Sequence, residues 1–272
     1  MCRVLGVTRS WYYAQQRRGA TRRQREDQAL LPRIKAAFEE SDKTYGAGRI
    51  GQDLRAQGRR VGKNRIWRLM RENGLRVKTT RRFKVTTNSD HKRPVAPNLV
   101  QRKFTADAAD RLWTGDITYI WTAEGWLYLA VVLDVFSRRI VGWSMNRRMT
   151  DDLVVAAFKK ALTRRRPAPG FIFHTDRGSQ YCSKRFRALV RGAGGAQSMS
   201  ATGCCYDNAI TESFFGTLKR ELVHHCSFTT RQEAQSRIFR YIEGFYNPKR
   251  RHSAIGYLSP EQFEQEHFKM AA

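Results

Sequence analysis

Asp116 lies inside Leu112–Trp121 (LWTGDITYIW), a stretch otherwise made of apolar, aromatic, glycine and threonine residues. That composition favours an extended strand. Its period of two places Thr114, Asp116 and Thr118 on one face and Trp113, Ile117 and Tyr119 on the other. A carboxylate in such a strand is costly without a partner, so the fold has to bring one to it.

The segments that follow restrict the fold further. Trp126–Ser137 reads as a long apolar strand, Ser137-Arg138-Arg139 as a turn and Arg139–Asn146 as a third strand, which makes an antiparallel meander. Thr150 is placed to cap a helix over Asp151–Arg164 with Leu153, Val154, Ala157, Phe158, Ala161 and Leu162 inward. Phe171–Thr175 is a fourth strand with Asp176 at its end, Ser183–Arg191 a helix and Ala196–Ser200 a short strand. Gly192, Gly194 and Gly195 mark a turn, with no lysine of a phosphate loop after them. Asp207 is a suitable N-cap for an amphipathic helix whose Phe214, Phe215, Leu218 and Leu222 recur at helical spacing. Glu212 and Lys219, nearly two turns apart, share one edge of it. Thr229 or Thr230 caps a last helix running to about Phe245.

Three antiparallel strands, a helix, a strand and further helices make an RNase H-like α/β domain. Asp116 would lie on its central strand, Asp176 at the end of the neighbouring one, and Glu212 on a helix packed beside them. Three acidic side chains converging on one edge suit a pair of Mg²⁺ ions, which take oxygen ligands and clamp the attacking and leaving oxygens of a phosphodiester.

The N-terminal half is helical and basic. Residues 1–18 look like the second half of a helix-turn-helix, with Leu5-Gly6-Val7 as the turn and Thr8 as the cap, or like a terminal helix packed on the body. A helix over Arg33–Glu40 is expected to follow Pro32, then helices from about Arg49 to Gln57 and Lys63 to Asn73, closed by Gly58 and Gly74. In the last, Ile66, Leu69 and Met70 face inward, leaving Lys63, Asn64, Arg65, Arg68 and Arg71 for phosphates or base edges. The expected organisation is a partial helix-turn-helix-like segment (1–20), a helical DNA-binding domain (21–76), an extended basic linker (77–110), the catalytic core (111–226), and C-terminal core helices with a basic tail (227–272).

Charge names the partner. The chain carries +27 overall, of which +19 falls in residues 1–103, an electrostatic footprint for a polyanion such as DNA. No apolar run reaches the ~18–20 residues of a membrane span, and the N-terminus lacks a signal-peptide core. Five cysteines without a C-x-x-C pair indicate neither a disulfide framework nor a zinc knuckle and suit a cytoplasmic setting. Other residues admit two readings. Lys219 contacts DNA or pairs with Glu212, His174 orients the site or is a satisfied core histidine, and Asn208 braces the active-site loop or belongs to a helix cap. Arg251, in the turn Asn247–His252, contacts DNA or belongs to a solvated charge run. Asp134 reads as a turn hydrogen-bonding group rather than a metal ligand.

The combination of WTGDITY (113–119), GWLYLAVVLD (125–134), HTDRGSQY (174–181), DNA…ESFF…LK.E (207–221) and YN…RH…GYLSPEQF (246–263) resembles the bacterial insertion-sequence DDE transposases of the IS-three family, second-reading-frame product OrfB, whose cores are similar to retroviral integrase. The 35 residues between Asp176 and Glu212 match the DD(35)E interval, and Tyr45-Gly46…Arg49-Ile50 and Arg65–Met70 resemble the helix-turn-helix segment of the same proteins. Where close relatives carry Lys, this chain has Thr202. The resemblance implies that Asp116, Asp176 and Glu212 bind two Mg²⁺ ions, or Mn²⁺ in their place. It further implies 3′-end cleavage followed by direct strand transfer without a covalent enzyme intermediate, the first joining often being between the two ends of one element. It also implies homo-oligomers on DNA, an upstream-frame OrfA-type protein or fusion as partner, no membrane, and a cytoplasmic, nucleoid-associated location. The rivals are a DNA-binding regulator with a silent core and an RNase H-like nuclease that does not join strands.

Overall fold

The computed structural model describes residues 6, 8–17, 19–78, 95–100, 105–200 and 209–271, without the side chains of 15–17 and 269–271. The chain divides into two compact units, Met1–Lys78 and Thr79–Ala272.

In the first unit, α1 (Arg9–Arg17) begins at Thr8, whose side chain accepts a hydrogen bond from the Trp11 amide at 3.2 Å. α2 spans Arg22–Glu40, which corrects the expected start after Pro32. Thr21 and Gln24 form a capping box, and Leu30, Ile34, Ala37 and Phe38 are buried along one stripe that passes Pro32. A capped start and a continuous apolar stripe outweigh the one amide that proline removes. α3 (Ala47–Ala56) and α4 (Lys63–Glu72) are followed by Gly58 and Gly74, whose φ of +78° and +67° carries the chain out of each helix. Ile50, Leu54, Ile66, Leu69 and Met70 are buried in this unit.

The second unit is built on a five-stranded sheet of order β3-β2-β1-β4-β5, formed by β1 (Leu112–Thr122), β2 (Gly125–Asp134), β3 (Ile140–Asn146), β4 (Ile172–Thr175) and β5 (Ala196–Met199). β1, β2 and β3 are antiparallel neighbours, while β4 runs parallel to β1 and β5 parallel to β4. These are the order and directions expected of an RNase H-like core. Alternation divides β2 between two cores. Leu127, Leu129, Val131 and Leu133 pack with α7 (Ala209–Glu221) and α8 (Arg231–Tyr241). Ala130 and Val132 pack with α5 (Asp151–Arg165) and α6 (Lys184–Gly192). Ser183 caps α6 by accepting from the Phe186 amide. Thr150 stands at the α5 N-cap but makes no side-chain cap bond, so Asp151 and Asp152 in the first turn face the helix dipole without it.

Several expected surface segments turn inward. In the supposed linker, Val100 is buried, the Leu99 amide donates to Ser198 Oγ at 2.9 Å and the Met199 amide to the Pro97 carbonyl at 3.3 Å. Residues 95–100 therefore dock on the β5 edge, whose main-chain groups need partners. The turn Asn247–His252 is largely structural. Asn247 bonds the main chain of Ile140 through both amide atoms, and Arg250, 4% exposed, grips Glu221 at 2.7 and 2.9 Å beside the Tyr241 hydroxyl. Asp134 has the turn role expected of it, accepting the amides of Asp110 and Phe136. It also joins a buried network in which Arg165 bonds Asp110, Asp134 and Glu264, and Glu264 on α9 (Pro260–Ala271) accepts from Ser137 and Arg139.

β3 meets α5 at Gly142, where a Cβ would collide with the Ala157 carbonyl oxygen and lie 2.7 Å from the Ala161 nitrogen. Both are main-chain atoms, so relief requires the helix to move. Gly142→Ala is expected to destabilise the second unit by ~1–3 kcal/mol, read as a lower urea midpoint; an unchanged midpoint would contradict this packing.

Candidate active site

The register of β1 against β4 builds the site. Gly115 pairs with Thr175 in the last step of a four-residue parallel ladder. Asp116, inside β1, and Asp176, the residue after β4, both follow this last pair, which puts them on neighbouring strands about 5 Å apart at the carboxyl end of β4. Ligands bind at this end of parallel strands in open α/β sheets. The close strand approach needs Gly115, because a Cβ there would come within 2.5 Å of the Phe173 ring. The Asp176 carboxylate folds back to accept the Gly178 amide at 2.9 Å, and Asp116 accepts the Ile117 amide at 2.7 Å.

α7 brings the third carboxylate. Thr211, fully buried, donates its hydroxyl to Thr114 Oγ1 at 2.7 Å. Thr114 is two residues before Asp116 on the same strand face, and Glu212 follows Thr211, so one bond fastens the Glu212 helix to the Asp116 strand. The C-terminal end of the same helix is held by Glu221 on Arg250.

The electrostatics record the convergence. Burial pushes Asp116 well above the ordinary carboxylate range, and the charges of Asp176 and Glu212 push it further, against the Ile117 amide and the Lys219 ammonium. Glu212 is raised by burial and by Asp176. Lys219 is lowered by burial, against Tyr119 and Asp116, and its ammonium lies 5.0 Å from the centre of the Tyr119 ring. Tyr181, buried beneath the aspartates, has its phenol raised by burial and then by Asp116 and Asp176. Three mutually repelling carboxylates partly offset by one lysine leave a surplus of negative charge on oxygen donors, the chemistry that suits a hard divalent cation. Among the described residues no group of three His, Cys, Asp or Glu side chains stands at metal-ligand spacing.

The remaining expected residues divide. His174 is fully buried, with Ser198 Oγ 2.8 Å from Nδ1 and Ser200 Oγ 3.4 Å from Nε2, which is the core-histidine arrangement. Lys63, Asn64 and Arg71 are exposed on α4, with Arg71 over the Trp67 ring at 4.8 Å. Arg65 and Arg68, expected as DNA contacts, are part-exposed and engaged in ion pairs. Asp27 takes both, with Arg65 Nε at 2.6 Å, and Glu26 and Glu72 add to them. A half-buried Asp27 on α2 needs those partners. Arg251 donates to the Tyr257 carbonyl at 2.9 Å. Asn208, Asp207, Thr202, Cys204, Cys205, Leu5 and Val7 lie outside the described residues, as do 79–94 of the linker. The Thr114–Thr211 bond and Tyr181 were missed from sequence. Thr114 and Tyr181 sit within the quoted motifs and Thr211 just before Glu212, but a hydroxyl pair formed between a strand and a distant helix leaves no mark in spacing.

Thr211→Val is expected to leave the Thr114 hydroxyl buried without its partner and cost ~1–3 kcal/mol, while Thr114→Val with Thr211→Val recovers most of it. Urea unfolding of the three variants checks this; a double variant as unstable as the sum of the singles would contradict it.

Comparison with known proteins agrees with this fold. An integrase core domain model matches residues 106–205, a second integrase core domain model matches 212–268, and an HTH-like domain model matches 24–83. The insertion element IS600 uncharacterized 31 kDa protein of Shigella sonnei is 46% identical over 272 residues, covering 100% of both chains. Transposase InsF for insertion sequence IS3A of Escherichia coli K12 is 47% identical over 266 residues, 97% of this chain and 92% of that one. In fold, the chain is similar to a chain of the cryo-EM structure of the simian T-cell lymphotropic virus intasome in complex with PP2A regulatory subunit B56 gamma, with a TM-score of 0.50 at 16% identity, covering 86% of this chain and 74% of that one. At such identity over nearly its full length, the chain belongs to the IS3-family transposases, with a helix-turn-helix-like domain ahead of an integrase core.

Proposed function

We propose that the chain catalyses Mg²⁺-dependent 3′-end cleavage and strand transfer at the ends of an insertion sequence. The observation that carries this reading is the convergence of Asp116, Asp176 and Glu212 from two strands and a helix, close enough for Asp176 to raise both of the others. These three side chains would hold the metal. When bound, two Mg²⁺ ions, or Mn²⁺ in their place, supply Lewis-acid activation of the attacking oxygen and stabilise the leaving one.

In the first step a water oxygen attacks phosphorus at the element end. The bond from phosphorus to the 3′ oxygen breaks, and that oxygen takes a proton and leaves as a 3′-hydroxyl. In the second step this hydroxyl attacks another phosphodiester and displaces its 3′ oxygen. One phosphodiester replaces another, so no covalent enzyme intermediate and no external energy source are needed. Joining the two ends of one element this way gives a circle. Lys219, beside Asp116, would bind the terminal phosphate backbone. Thr211 fixes the height of Glu212, and His174 braces β4 through two serines. Asn208, one position before α7, would brace the loop leading into it.

The exposed α4 residues Lys63, Asn64 and Arg71 are the proposed end-recognition surface, with Arg251 a further backbone contact. Arg65 and Arg68 serve by holding the α4 scaffold to α2. Bringing two ends together calls for more than one copy of the chain on DNA, and an upstream-frame OrfA-type protein or fusion would complete the assembly. Among the described residues no helix is long and apolar enough to cross a membrane, and a DNA substrate places the work in the bacterial cytoplasm, at the nucleoid.

The test is a strand-transfer assay on labelled element-end DNA with Mg²⁺, comparing wild type with Glu212→Gln. Cleaved and joined products are expected from wild type. The variant should bind DNA and lose activity by more than ~100-fold, beyond the loss from removing a mere outer-shell partner. Binding without chemistry in wild type would favour a regulator, and cleavage without joining a nuclease.

A further inference from the structure

The β1–β2 hairpin ends in an aromatic surface that neither core uses. Trp121 pairs across the hairpin with Trp126, and they are 60% and 43% exposed. Their rings meet edge to face at 4.8 Å, and Trp126 meets Tyr119 at 5.0 Å. Neither indole belongs to either hydrophobic cluster. The tip is firmly held. The Ala123 amide donates to the Phe228 carbonyl at 2.9 Å, Thr122 bonds the Gly125 carbonyl, and Arg231 donates to the Trp126 carbonyl and to Glu124. These rings are therefore presented on a braced support.

Tyr119 and Trp121 leave β1 on the face opposite Asp116, and Lys219 on α7 links that face to the candidate active site. The Lys219 ammonium lies over Tyr119 and is close enough to Asp116 to offset its charge. Lys219 thus stands between Asp116 and the ring series Tyr119, Trp126 and Trp121. A cation at the start and π faces beyond it match a nucleic-acid strand, whose phosphates meet the cation and whose bases stack on the rings. A second copy of this chain would find Lys219 at one end of an otherwise aromatic face, in a protein of net charge +27.

We propose that Tyr119, Trp121 and Trp126 form a stacking subsite for unpaired bases of the DNA strand whose phosphodiester lies at the carboxylates. The proposal rests on the active-site reading above, deepening it to say that the bases next to the reacting phosphate are splayed from their complement and held on this hairpin.

The test reads binding alone and so stands apart from catalysis. The full chain is titrated with a short oligothymidylate and with an abasic oligonucleotide of the same length, following tryptophan fluorescence and anisotropy. Wild type is expected to be quenched by the base-bearing strand and to bind it roughly 10-fold more tightly than the abasic one. Trp121→Leu with Trp126→Leu should bind both alike, with an unchanged urea midpoint showing that it is folded. Equal affinity of wild type for the two strands would overturn the proposal, as would a preference for bases that survives in the double variant. No base preference, together with a self-association that the double variant abolishes, would overturn it in favour of a second copy. Loss of strand transfer with this preference intact would strike the catalytic reading and leave the subsite standing.

Discussion

Everything at this site depends on a short parallel ladder. Leu112–Gly115 against Ile172–Thr175 is only four pairs, yet it fixes where two like charges emerge from the sheet. Two aspartates just past the last pair of this ladder repel, and burial adds to the cost for Asp116. The ladder persists because its flanks are strongly packed. Trp113, Phe171 and Phe173 are buried beside it, and Phe158 packs on all three. On the opposite face the Thr114–Thr211 bond sets α7 in place. A rigid apolar frame therefore imposes a cluster of like charges that would not assemble by itself.

The positive charge divides between two uses. Some arginines that read as DNA contacts also act as struts within the fold. Arg65 and Arg68 fasten α4 to α2, and Arg250 anchors the end of α7. Arg165 gathers Asp110, Asp134 and Glu264. Burial opposes the charge on Asp134, raising its pKa to about 7 in spite of two amides and a guanidinium. Such pairs are costly to form and costlier to break by halves, so they serve better for fixing geometry than for adding stability. On the α4 surface Lys63, Asn64 and Arg71 stand exposed beside these pairs.

The core was readable from sequence because alternation and helical spacing report directly on packing. The strands around Asp116 and Asp176 and the helix carrying Glu212 fall close to their expected positions, and the β1-β2-β3 meander follows from its short connections. What local composition left out shares one cause. Pro32, the Asn247–His252 turn and residues 95–100 were judged by local composition, yet each is decided by a distant partner: the buried stripe of α2, Glu221 and the main chain of Ile140, and the β5 edge. The exposed pair Trp121 and Trp126 read as ordinary strand residues, because alternation does not say which end of a sheet its helices leave uncovered.

The central claim is that Asp116, Asp176 and Glu212 make one divalent-cation site. Calorimetric titration of the intact chain with Mn²⁺, beside Asp116→Asn, Asp176→Asn and Glu212→Gln variants shown to be folded, tests it without DNA or catalysis. Binding in wild type that each single neutralisation weakens is the predicted result. Binding that survives all three substitutions unchanged would place the metal elsewhere and contradict the account.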